Sequence, residues 1–118
     1  MAPVGSNQIS SGGFTRTPVK RGQSAIDFVK EFSVRDPIVG VVVTWLTSER
    51  LRGKATVRVY DADNKAVASS EPNKIDINKG TYGQSFWQVP MLKVPGLYRV
   101  DVALDTRTLW RGFFRVNP

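Results

Sequence analysis

The chain contains neither cysteine nor histidine. The first absence removes disulfides, thiolate nucleophiles and thiolate metal sites, and the second removes the commonest general base and the commonest neutral metal ligand. No stretch approaches the roughly 20 apolar residues that a membrane-spanning helix needs. No segment carries apolar residues at helical spacing for more than about a turn. A paired carboxylate, an activated serine, a lysine in an apolar run and a phosphate-cradling glycine loop are likewise missing. These absences predict a protein without catalytic machinery, cofactor or resident metal.

Acidic residues are also in short supply. Ten Asp plus Glu face seventeen Lys plus Arg, for a formal charge of +7. A field of that sign favours acidic protein surfaces, nucleic acids and anionic lipid head groups. The excess sits at both ends of the chain, while residues 36 to 80 are nearly neutral, with seven basic and six acidic side chains.

What remains is ordinary for a globular domain. Of 118 residues, 41% are hydrophobic and 23% charged, enough apolar surface for one core and too short a chain for two. Residues 1 to 24 are rich in Ser and Gly and poor in apolar groups, so they read as a flexible N-terminal arm, with the folded domain spanning 25 to 118. The first residues, Met1 to Ser6, lack the basic and apolar regions of a secretory signal. The chain therefore reads either as cytoplasmic or as a mature or excised form, and an extracytoplasmic place in the periplasm or on the cell surface is favoured.

From residue 25 onward the signals are strands and turns. Ile26, Phe28 and Phe32 suggest a ragged first strand ending before Asp36 and Pro37. Ile38 to Leu46 is a β-branched run that predicts a central strand buried on both faces. Thr47 to Gly53 reads as a basic loop, and Lys54 to Tyr60 alternates with Ala55, Val57 and Val59 inward. Asp61 to Asn64 supplies a turn into a short edge strand at Lys65 to Ser70. A long loop from Glu71 to Gly83 holds at most a brief strand at Ile75 to Ile77, and Ser85 to Val89 is the next strand. Tyr98, Val100, Val102 and Leu104 share one parity, and Trp110, Gly112, Phe114 and Val116 share the inward parity of the last strand. About seven strands and no helix predict an all-β antiparallel sandwich.

The segment Pro95 to Val102 resembles the Gly-x-Tyr-x-Cys stretch that opens the sixth strand of immunoglobulin-like domains, with Tyr98 at the tyrosine position and Val100 at the cysteine position. The ending Leu109 to Val116 is similar to the closing strand of bacterial immunoglobulin-like modules. The resemblance covers about residues 25 to 116. It implies a disulfide-free immunoglobulin-like sandwich in which Tyr98 ties its loop to the strand through the phenol hydroxyl, and Trp45 is a candidate core tryptophan.

Such a sandwich brings the outward residues of its third, sixth and seventh strands onto one face. Outward parity selects Thr56, Arg58 and Tyr60, then Leu97, Arg99 and Asp101, then Leu109, Arg111, Phe113 and Arg115. Aromatic and Arg anchors are what interfaces enrich, so Arg58, Tyr60, Arg99, Leu109, Arg111, Phe113 and Arg115 form the candidate partner-binding set. Arginine stems laid over apolar neighbours on a solvated face are the plainer alternative. The set points to a non-enzymatic protein–protein interaction module or accessory subunit of a bacterial-type assembly, engaging an acidic or mixed surface. On this reading Arg111→Glu and Phe113→Ala weaken capture without unfolding the domain. The competing reading is an anionic ligand: single-stranded nucleic acid, an anionic lipid surface or a glycan. Two smaller features complete the inventory. Asp61, Asp63 and Asn64 offer oxygen atoms that suit a turn or a cation, and Arg50, Arg52 and Lys54 form a basic tip.

Overall fold

The computed structural model describes residues 9–19, 26–46, 50–80 and 82–118. Among these residues nine strands follow in chain order: β1 (Ile9–Thr15), β2 (Glu31–Ser33), β3 (Ile38–Leu46), β4 (Leu51–Tyr60), β5 (Ala66–Ser69), β6 (Asn73–Ile77), β7 (Tyr82–Pro90), β8 (Gly96–Leu104) and β9 (Arg107–Asn117). No helix among the described residues is long and apolar enough to cross a membrane.

The strands form two sheets. One has the order β1-β3-β7; the other runs β2-β9-β8-β4-β5, with β6 also paired to β4. All pairings are antiparallel except β2 with β9. Val39, Val41, Val43 and Trp45 from β3 meet Val57 and Val59 from β4 and Val100 and Val102 from β8 in one core, each of them fully buried. Their alternation in sequence becomes a packed layer because side chains of one parity leave the sheet on one side. Phe114 is the aromatic centre, with Phe14 at 5.2 Å, Phe32 at 5.4 Å and Tyr98 at 5.5 Å between ring centroids. The one polar side-chain atom of Trp45 is also satisfied, its Nε1 donating to the Ser85 hydroxyl at 2.9 Å.

β3 is buried on both faces, as its unbroken apolar run predicts. β1 is the main departure. It falls inside residues 1 to 24, whose composition suggests a flexible arm, yet residues 9 to 15 pair along β3 from Ile9 opposite Trp45 to Thr15 opposite Gly40. Phe14 supplies the reason, because it is 4% exposed in the core. The glycines that make the segment look like a linker are needed for close approach: a Cβ at Gly12 would lie 2.5 Å from the Trp110 indole. Residues 1–8 and 20–24 of that expected arm lie outside the described residues.

The expected first strand contracts to β2, preceded by a single bridge between Phe14 and Val29. The basic loop shortens because β4 begins at Leu51; its residues 47–49 lie outside the described set. The long loop at 71 to 83 contains all of β6, anchored by Ile75, which is 7% exposed.

Candidate functional site

Three central strands of the larger sheet carry the face that the sequence selects. Register sets its side chains in rows: Arg58 of β4, Asp101 of β8 and Arg111 of β9; then Tyr60, Arg99 and Phe113; then Leu97, Arg115 and, on β2, Glu31. Ser69 of β5 stands beside Arg58.

Asp101 organises this face. Its carboxylate accepts two hydrogen bonds from Arg111, Nε at 2.8 Å and Nη2 at 3.1 Å. Arg99 brings a second guanidinium to within 3.4 Å of the same Oδ1. The Arg99 Cζ also lies 4.3 Å from the centroid of the Tyr60 ring, so its charge is shared between a carboxylate and a π face. The Arg99 Nε is buried without a hydrogen-bond partner. Hydrogen bonding to Asp101, aided by its charge, holds the Arg111 guanidinium still more firmly protonated than an ordinary arginine. Asp101 itself is buried, with 9% of its side chain exposed, so this pairing happens with little water present.

Arg58 and Arg115, by contrast, have exposed side chains and no ion pair among the described residues. Phe113 is 53% exposed and Leu97 44% exposed on the same surface. Four arginines against Asp101 and the edge residue Glu31 leave the face positive, with apolar groups lying between the charges.

Six of the seven candidate residues therefore share one surface. Leu109 does not, and its assignment is corrected: it is 3% exposed, in the core. Pairing of β8 with β9 passes from Val102 opposite Trp110 to Ala103 opposite Thr108, skipping Leu109. This bulge reverses the parity on its far side and turns Leu109 inward. Arg111 also has a structural role that parity does not show, since it neutralises a buried carboxylate. Arg111→Glu would set a second carboxylate beside Asp101 and so perturbs the fold as well as the surface. Val67, 40% exposed on β5, belongs to the edge of the face. The register skips Val67 between Ala68 and Ala66, so its place in the short edge strand was the signal for it and its parity was not.

The two smaller features are absorbed by local structure. Asp61 Oδ1 accepts the backbone N–H of Asp63 at 3.0 Å and of Lys65 at 2.9 Å, closing a turn in which Asn64 takes φ 64°. Arg50 donates two hydrogen bonds to Asp76 of β6, at 2.9 and 2.8 Å, and Arg52 approaches the same carboxylate at 3.9 Å. The basic tip is thus partly neutralised. The Arg50 hydrogen bonds hold the Asp76 carboxyl below its usual range, with Arg52 and Lys74 adding to the effect.

Tyr98 donates its hydroxyl hydrogen bond to the carbonyl of Val94, four residues back. The resemblance at Pro95 to Val102 implies this loop-to-strand tie.

No family model matches the chain, and no curated protein matches it in sequence. Solved structures do match in shape. The C-terminal domain of Wzt is similar with a TM-score of 0.65 at 10% identity, covering 94% of this chain and 73% of that one. An immunoglobulin-like protein from Pseudomonas aeruginosa, PA1606, gives 0.55 at 13% identity, covering 93% and 95% of the two chains. A β-glucosidase from Listeria innocua gives 0.57 at 15% identity over 76% of this chain, which spans only 15% of that enzyme. At such identities the likeness is one of fold, and the chain is an immunoglobulin-like β-sandwich without a disulfide.

Proposed function

We propose that the chain is a non-enzymatic interaction module, an accessory or structural subunit that engages an acidic or mixed protein surface through the outer face of β4, β8 and β9. The observation that carries this reading is the division of labour among the arginines. Arg99 and Arg111 are held in place by Asp101, whereas Arg58 and Arg115 are exposed on either side of it with no ion pair among the described residues, and Phe113 and Leu97 are exposed between. Fixed cations around exposed apolar groups suit a partner that buries an apolar patch and brings carboxylates to the flanks. Because Arg99 is stacked on Tyr60, little side-chain freedom remains for binding to remove at the centre.

The test uses Arg58→Glu, Arg115→Glu and Phe113→Ala, all at exposed positions. The tagged chain is used to capture proteins from its native source, and a captured partner is then titrated in purified form against each variant. Loss of binding in all three, with unchanged thermal melting, supports the reading. Unchanged affinity overturns it, and so does retention on single-stranded oligonucleotides, anionic vesicles or glycans with no protein captured.

A further inference from the structure

We propose that β7 is the seam of a two-fold dimer, in which two copies of this chain join their smaller sheets into one continuous sheet of six strands. This inference is independent of the basic face, which lies on the other sheet.

β7 ends the order β1-β3-β7, so among the described residues the backbone groups on its free edge have no strand beside them. Edges of this kind invite pairing, and proteins blunt them by shortening, bulging, covering or charging them. The other edges here are blunted. β2 has three residues and β5 four. β6 carries Lys74 and Asp76. β1 has a register irregularity between Ile9 and Ser11, and its free edge is partly covered where the Val29 N–H donates to the Phe14 carbonyl at 2.9 Å. Among the described residues β7 shows neither shortening, nor a register shift, nor charge: nine residues, Tyr82 to Pro90, without a charged side chain and with a proline only at its end.

The sequence of β7 is also matched to itself. Gln84 and Gln88 lie two residues either side of Phe86, so an antiparallel pair centred on Phe86 sets Gln84 opposite the second copy's Gln88, twice, and Phe86 opposite Phe86. That is the self-complementarity a two-fold interface requires. Both glutamines are exposed, on the outward side of β7 along with Phe86. Self-complementarity decides for a second copy over a foreign strand, and charge does not stand in the way. Two chains of +7 repel across any basic surface, and this uncharged strand lets them meet without bringing like charges into register.

Sedimentation of the 118-residue chain over a concentration series reads the outcome. Wild type is expected to approach twice the monomer mass, with dissociation in the micromolar range. Gln84→Lys with Gln88→Lys puts like charges opposite each other at both symmetric positions and is expected to give a monomer, as is Gln84→Glu with Gln88→Glu. Gln84→Glu with Gln88→Lys puts opposite charges together at the same two places and is expected to restore the dimer. Thermal melting of each variant checks that the sandwich is intact. A wild type that stays monomeric up to about 500 µM overturns the proposal. So does a dimer indifferent to the like-charged pairs, or a charge-swapped variant that fails to recover.

Discussion

Tyr98 shows how much one polar atom can fix in a small sandwich. Its ring packs against Phe114 in the core while its hydroxyl reaches back to the Val94 carbonyl, so a single side chain joins the loop before β8 to the centre of the molecule. Burial, with a smaller contribution from the Asp61 charge, pushes its phenol above the ordinary value of about 10. The folded state therefore keeps this proton at pH values where the unfolded chain has lost it. The resulting contribution to stability is complete below about pH 10 and is lost as pH rises through the folded value. Tyr98→Phe is expected to cost about 1 kcal/mol at neutral pH, the net worth of one hydrogen bond, because Val94 is an exposed residue and water can replace the lost donor. The variant should also lose less stability than wild type as pH rises above about 10. Urea midpoints at several pH values check both; equal alkaline slopes in the two proteins would show that the phenol proton is not linked to folding.

Among the elements, legibility followed the chemistry of each strand. β3, β4, β8 and β9 announce themselves because β-branched and aromatic residues alternate or run together, which is what a strand with one or two buried faces demands. β1 was hidden by Ser11, Gly12 and Gly13, which imitate a linker when read alone, although the Trp110 ring packed against Gly12 and the Phe28 ring packed against Gly13 leave no room for a Cβ at either glycine. Parity agrees with the register wherever strict alternation holds, from Arg111 to Arg115 and from Leu97 to Asp101. It failed at Leu109, since nothing local marks the residue skipped between Thr108 and Trp110. The hidden role of Arg111 has the same origin: its partner Asp101 is ten residues away and meets it only through register. The bulge makes a sharp contrast testable. Leu109→Ala removes a buried side chain and is expected to destabilise by about 2 to 4 kcal/mol. Phe113→Ala, four residues on in the same strand, should change stability by no more than about 0.5 kcal/mol while weakening capture of the partner. Urea unfolding at constant slope distinguishes them, and equal costs would place the bulge elsewhere in β9.

At the scale of the whole molecule, the two proposed surfaces divide the work by charge. Antiparallel pairing along β7 has its two-fold axis normal to the sheet, so the two sandwiches lie side by side with the same layer uppermost. Both basic faces then point the same way, and a dimer presents two copies of Arg58, Arg115 and Phe113 to one side, a geometry in which a second contact follows the first at high effective concentration. The two associations respond oppositely to salt. Joining two chains of +7 works against repulsion that mobile ions screen, so raising NaCl from about 50 to about 500 mM should tighten the dimer. Capture of an acidic partner relies on attraction that the same ions weaken, and is expected to fall over that range, more steeply for wild type than for Arg58→Glu. Sedimentation and partner titration in parallel salt series measure the two trends. A dimer that dissociates with salt would mean that charged groups hold the seam together, against the uncharged β7 edge. Capture that strengthens with salt would mean that Phe113 and Leu97, with no contribution from the arginines, make the contact.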